Sequence, residues 1–450
     1  MTGIITDKLK RIFLDNLITE IQTEAAAYYI GIGNSIDWDS SDTAPTPINS
    51  LREERNLRLR LQSIKTGEDI SYVVPRNNWV SGTVYSGWDD NVSGHPTTPY
   101  FVITEDNGVY ICLKQGRDNT GAAVASTISP SGASTTSFFT ADGYIWKFLY
   151  TLSAGNANKF LSANYVPVSL IGTTDSASPA AILEQKGIQN AAIIGQIANI
   201  RVVNGGSGYA SAPTVTVVGD GDSCQAIAII SGGSVVDIRL DSNGSGVPLH
   251  GSGYEKATVS FNTGTATARV TLGPKTGFGA DPTNDLRAKA LMFNSKIIGG
   301  ESGTFITDND FRQVTLIKNP TITATDSDYS GASNYVLNTL TFDTVATAFD
   351  VDVTIQGSNT GAKAYVDTYD VATKKVYFHQ TEDTGFLNFE NAEPVLATNG
   401  SGSGVIDSAT GVGASGYIDW TSGEILYIEN RVAIPRAADQ TEDIKIVIQL

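Results

Sequence analysis

A mainly β fold is what this sequence predicts, on three observations. The 450 residues include 45 glycines. From about residue 70 onward, short apolar runs are bounded by Gly, Asn, Asp and Pro, as in Tyr72-Val73-Val74 before Pro75 and Val109-Tyr110-Ile111-Cys112-Leu113 after Asn107-Gly108. Large side chains also alternate across two faces in Asp142-Gly143-Tyr144-Ile145-Trp146-Lys147-Phe148-Leu149-Tyr150, as they do in a buried strand. The chain is longer than the roughly 250–300 residues at which one core stops growing, so two or more domains are expected. A hydrophobic content of 41% is enough to fill a sizeable core. The expected architecture is a multidomain, sandwich-like α+β core with two N-terminal helices and inserted small β modules.

Residues 7–25 set Leu9, Ile12, Phe13, Leu17, Ile18 and Ile21 at three- and four-residue spacing, with Asp15, Glu20 and Glu24 opposite. That is the pattern of an amphipathic helix, and Thr6 suits its N-cap. Tyr28-Tyr29-Ile30-Gly31-Ile32-Gly33 reads as a strand, and 34–49, rich in Asp, Ser and Pro, as a loop. Ser50 with Glu53 makes a capping box ahead of Leu57, Leu61 and Ile64, so a second helix follows.

Residues 195–275 are poor in charge and internally similar. Val203-Asn204-Gly205-Gly206-Ser207-Gly208-Tyr209 ahead of Thr214–Val217 recurs as His250-Gly251-Ser252-Gly253-Tyr254 ahead of Ala257–Phe261. Gly supplies the positive φ of a turn, Tyr covers it and the β-branched run forms the next strand, which makes a tandem β module. Asn-Thr-Gly occurs at 119–121, 262–264 and 359–361, each read as a hairpin turn. A second inserted module is expected over 326–410, with the Gly/Ser run 399–404 as a loop or turn, and two strands close the chain at 424–428 and 444–448.

The balance of 30 Lys+Arg against 47 Asp+Glu gives −17, a charge that repels phosphate backbones and anionic lipid. Arg52, Arg55, Arg58, Arg60 and Lys65 form a basic cluster, but Glu53 and Glu54 interrupt it, as on a solvated helix face. No nucleic-acid partner is expected. Cys112 and Cys224 have no paired spacing for a disulfide framework or zinc. Asp15 breaks the apolar stretch 12–18 before it reaches signal-peptide length, and no run reaches the roughly 18 apolar residues of a membrane span. Synthesis in a cytoplasm without membrane insertion is the expectation.

Catalytic patterns are missing from the sequence. His95, His250 and His379 are scattered, no G-x-S-x-G elbow or phosphate loop occurs, and Gly277-Phe278-Gly279 meets Pro282 where a dinucleotide fingerprint needs Gly. Asp37, Asp39 and Asp42 begin like a calcium loop, but position six is Asp42 and position twelve Ile48. Asp220 with Asp222 and Asp326 with Asp328 are likewise incomplete, and turn-capping is the plainer reading. Trp79 and Trp88, near Tyr85 and Tyr100, suit either a sugar platform or packing at an interface. Arg76 and Arg312 are candidate interface anchors, since Arg is enriched at such contacts. No catalytic residue, cofactor, metal or small-molecule substrate is expected.

Several segments together carry a resemblance: Tyr28–Gly33 followed by Trp38, Val73-Val74-Pro75-Arg76-Asn77-Asn78-Trp79 and Val109–Leu113 in one half. In the other half they are Gly277-Phe278-Gly279-Ala280-Asp281-Pro282, Asp310-Phe311-Arg312-Gln313-Val314 with Lys318-Asn319-Pro320, and Gly423–Tyr427 with Asp439–Asp443. In this order they resemble the gene-product-eight type of baseplate wedge protein of contractile-tailed bacteriophages. The resemblance implies a non-enzymatic homodimer in the virion tail baseplate that joins other wedge proteins and relays conformational change for sheath contraction. It also implies one discontinuous core, residues 1–175, 276–325 and 411–450, carrying 195–275 and 326–410 as insertions. A receptor- or glycan-binding tail protein is the alternative reading, with the Gly-Ser-Gly-Tyr module as its binding element.

Overall fold

The computed structural model describes residues 3–23, 27–67, 69–413 and 417–449. Residues 24 and 25 at the end of the first expected helix, Glu24 included, lie outside that set. The fold is mainly β, with 40% strand against 12% helix. The chain divides into two compact units, one of Met1–Asp15, Ser71–Met292 and Val447–Leu450, the other of Asn16–Ile70 and Phe293–Ile446.

The first unit is built on an antiparallel sheet of Phe101–Ile103, Gly108–Lys114, Ile145–Thr151 and Phe138–Phe139, paired in that order. Ile145–Thr151 is buried on both faces, because Trp146 and Phe148 join Tyr85, Tyr110, Tyr144 and Ile188 in the core. Ile188 comes from the helix Ala180–Asn190, which the sequence pattern did not assign. That helix has no side-chain N-cap, so its start carries no local signal.

The tandem repeat closes on itself. Val215–Gly219 and Ala257–Phe261, the strands that follow the two Gly/Tyr turns, pair antiparallel with each other. Each tyrosine packs on the turn after the other repeat's strand. Tyr209 donates its hydroxyl to the Thr263 carbonyl at 3.3 Å and accepts the Ala266 N–H at 2.9 Å, and Tyr254 lies against Gly219 and Gly221. A Cβ at Gly264 would stand 2.2 Å from the Tyr209 hydroxyl, so this turn requires glycine. Asn262-Thr263-Gly264 therefore does not form the hairpin expected of it: it passes from Ala257–Phe261 to Thr267–Leu272, which pairs with Ile197–Asn204. Asn359-Thr360-Gly361 does join two strands paired to each other, Thr354–Gly357 and Lys363–Asp370.

In the second unit a five-stranded antiparallel sheet runs Ser333–Tyr335, Leu61–Thr66, Tyr28–Gly33, Asn309–Lys318, Glu424–Arg436. The second helix forms at its capping box, with the Ser50 hydroxyl accepting the Glu53 N–H, but it ends at Arg60. Leu61 and Ile64 continue the helical spacing of Leu57, yet they lie in a strand. Pairing with Tyr28–Gly33 buries both, and that gain is non-local. Residues 338–406 close into a six-stranded barrel around Phe342, Ile355, Val366 and Ile406, and 399–402 is the turn of its last hairpin.

Arg312 ties this unit together. It is 4% exposed, and its guanidinium donates to Asp42 at 2.8 Å and to Asp37, Asp310 and the Ser35 carbonyl. Asp37 and Asp42 are thus committed to Arg312, and Asp39 accepts the Ser41 N–H and hydroxyl, which accounts for the acidic loop without an ion. The fastened loop covers an edge strand: the Trp38 indole N–H donates to the Arg431 carbonyl at 2.7 Å and the Asn430 amide to the Pro45 carbonyl at 3.0 Å. Burial pushes the Asp310 carboxyl up to about 6, against the pull of Arg312. Arg312→Ala should cost about 3–5 kcal/mol, the usual result of leaving one side of a buried ion pair unmatched. Urea unfolding followed by Trp38 and Trp420 fluorescence will read it as a lower midpoint, and an unchanged midpoint would refute the role.

Candidate interaction surface

The helix α1, Asp7–Thr23, begins where the Thr6 hydroxyl accepts the Leu9 N–H at 3.4 Å. Its first turns are held by charge on one side. Arg11 donates to the Asp281 carboxylate at 3.0 Å and to the Thr283 hydroxyl, and stands over the Tyr72 ring at 5.6 Å. Lys289 pairs with Asp7 at 2.8 Å, and the Tyr72 hydroxyl donates to Asp15 at 2.6 Å. Leu14 is buried beneath this network.

The opposite side is apolar and open. Ile5, Leu9, Ile12 and Phe13, spaced i, i+4, i+7, i+8, are 67%, 43%, 46% and 58% exposed. The sequence reading grouped Leu9, Ile12 and Phe13 with Leu17, Ile18 and Ile21 in one apolar stripe. In the structure Ile21 and Leu14 are buried, whereas Leu9, Ile12 and Phe13 are exposed. Burying such side chains is worth on the order of 1.5–3 kcal/mol each, so the three on the helix, with Ile5 just ahead of it, make an exposed apolar patch.

Each of the four sequence-predicted interface residues has partners within its own unit. Arg76 is half-buried, donating to Asn78 at 2.9 Å and to the Ser162 carbonyl at 3.0 Å. Trp79 is half-buried against the Tyr85–Tyr144–Trp146 cluster, its indole N–H donating to Ser126 at 3.1 Å. Trp88 is buried with Tyr100 and Phe278 under the Arg287 guanidinium, 4.3 Å from its ring, and donates to the Leu272 carbonyl. Tyr85, Trp88 and Tyr100 are therefore packing groups in two clusters, without a shared open face. Arg312 is the internal counterion already described.

Sequence reasoning also missed two histidine pairs. His379 donates from Nδ1 to Asp367 at 2.6 Å inside the second unit, and Asp367 in turn accepts from Ser35 and Gln62. In the first unit, His250 Nδ1 lies 2.6 Å from the Ile197 carbonyl, which only accepts, so the proton sits on Nδ1. Nε2 then accepts the Ser137 hydroxyl at 2.7 Å. The distances suit a nucleophile and its base, but burial, aided by Lys147 and opposed by the Ile197 carbonyl, pushes His250 down to about 4. A base that weak draws a serine proton poorly near neutrality. The pair works as a tie among three segments, and nothing in the spacing of Ser137 and His250 announces it.

Because the folded pKa of His250 lies below that of a free imidazole, the unfolded chain takes up the proton first as pH falls. Stability is complete above about 6.5 and lost on descending toward about 4, by up to ~3 kcal/mol from this one group. His250→Gln should flatten that part of the profile in urea titrations between pH 7 and 4; a mutant slope equal to the parent's would count against the assignment.

No helix among the described residues is long and apolar enough to cross a membrane. No protein-family model matches the chain, and no curated protein matches it.

Proposed function

We propose that this chain is a structural subunit of a phage tail baseplate, of the wedge type, acting through protein–protein contacts rather than covalent chemistry. It works as a homodimer joined to other wedge proteins and passes conformational change toward sheath contraction. The observation that carries the reading is the outer face of α1, where Leu9, Ile12 and Phe13, with Ile5 just ahead of the helix, stand exposed on an element anchored through Arg11 and Lys289. Rigid apolar anchors are what assembly interfaces are built from, because little side-chain or backbone freedom remains to be lost on docking.

The segments behind the resemblance support it from another direction. Tyr28–Gly33, Asp310–Val314 and Glu424–Tyr427 are far apart in sequence, yet they are consecutive neighbours in the second unit's sheet. The other segments, Val73–Trp79, Val109–Leu113 and Gly277–Pro282, belong to the first unit, so this support comes from three of the segments.

Light scattering on the purified chain should give a dimer, and pull-down after co-expression should recover other baseplate proteins. The double change Ile12→Glu and Phe13→Glu should shift the dimer toward monomer at micromolar concentration with unchanged circular dichroism, since neither side chain is in a core. A stable trimer, or a dimer indifferent to both changes, would overturn the reading.

A further inference from the structure

One cavity in the first unit has the opposite charge to the rest of the chain. It measures about 290 Å³ and lies where Gly108–Lys114 ends beside the strands Ile197–Asn204 and Ser234–Leu240. Lys114, Arg117 and Arg201 line it against a single carboxylate, Asp237. Asp237 is already shared, with Lys114 at 2.8 Å and Arg239 at 3.1 Å. Of the neighbouring acids, Asp89 is divided between Arg201 at 3.2 Å and Arg269 at 2.6 Å, and Asp90 pairs with Arg269 at 2.7 Å. In a chain of 30 basic and 47 acidic residues, such a concentration of cations is out of proportion.

The cations are fixed rather than splayed. Arg201 and Asn199, two residues apart on one strand, share a face. Arg201 is held by the carbonyls of Gly87 and Trp88 at 3.0 and 2.9 Å and by Asn199 at 3.2 Å. Lys114 is 8% exposed in its side chain, and Arg117, exposed at the rim, is steadied by the Gly121 carbonyl at 2.6 Å. Their charges oppose one another. Burial holds Lys114 below its ordinary value, Asp237 resists, and Arg117 and Arg239 add to the depression. Burial likewise lowers Arg201 against Asp89, with Arg269 and Arg117 adding repulsion. A bound anion offsets the repulsion among these cations.

We infer that this cavity binds a small oxyanion, the carboxylate or phosphate of a ligand about the size of one sugar unit, between Lys114, Arg117 and Arg201. The space suits a single ring, being at the lower end of the roughly 300–1,000 Å³ of small-molecule sites. The guanidinium of Arg117 makes one hydrogen bond to protein among the described residues and presents its remaining N–H groups as donors. Ser86 and Gln115, also on the lining, supply uncharged donors and acceptors for hydroxyl groups. The inference stands apart from the proposed assembly role, since it concerns neither α1 nor any contact between chains.

Calorimetric titration of the full chain with glucuronate, glucose and inorganic phosphate separates the sources. Glucuronate binding without glucose binding supports a carboxylate site, and phosphate binding without glucuronate binding supports a phosphate site. Affinity for the bound anion should fall several-fold between 50 and 500 mM salt, and about tenfold in Arg117→Ala, whose exposed side chain leaves the fold intact. Lys114→Met should abolish binding, and circular dichroism will show whether that variant is folded. Glucose binding as well as glucuronate, neither anion binding at millimolar concentration, or affinity unchanged in Arg117→Ala would overturn the inference.

Discussion

A guanidinium surrounded by three carboxylates is the contact on which the second unit most depends. Arg312 lies on a strand of the five-stranded sheet, and it fastens the 34–45 loop that covers the edge strand Glu424–Arg436. Burial is what holds Asp310 so far from its ordinary ionisation, with Asp352 and Asp42 adding repulsion against the pull of Arg312. The arrangement is costly in desolvation and is tolerable because nearly every donor of the guanidinium is matched. It also explains why an acidic loop that begins like a cation site is an internal clasp.

What could be read from the sequence follows the range of the forces involved. The capping box at Ser50, the strand Tyr28–Gly33 and the paired Gly/Tyr turns are set by residues within a few positions of one another, and they are where the sequence placed them. Leu61 and Ile64 defeated the same reading, because helical spacing and a strand buried on both faces both ask for apolar residues there. Pairing with a strand thirty residues upstream decides between them. α1 is the instructive failure: its first half is apolar on two sides, so periodicity finds a helix but cannot say which side faces in. The polarity of α1 is fixed by Arg11 with Asp281 and Lys289 with Asp7, partners about 270 residues away.

The candidate sites were illegible for the same reason. Ser137 meets His250, and Lys114 meets Arg201 and Asp237, only after strands from separate stretches are laid side by side. Each residue taken singly is an ordinary surface or core group. What makes them notable is their company: a hydroxyl bonded directly to a buried imidazole, or three cations lining one cavity with a single carboxylate.

The sheet of the second unit has a consequence for the order in which the protein is made. Its third and fourth strands, Tyr28–Gly33 and Asn309–Lys318, flank the whole of Ser71–Met292, and its edge is Glu424–Arg436. On the ribosome, Tyr28–Gly33 can pair with Leu61–Thr66 early, but its other neighbour, Asn309–Lys318, emerges only after the whole of Ser71–Met292. The sheet reaches its full width only after residue 436 has been synthesised, so the pair formed by its early strands travels through most of translation with open edges. The first unit waits for a late segment too, since it takes in Val447–Leu450 as well as Ser71–Met292. The interval in which those edges stand open is the stage at which this protein is most exposed to misassembly.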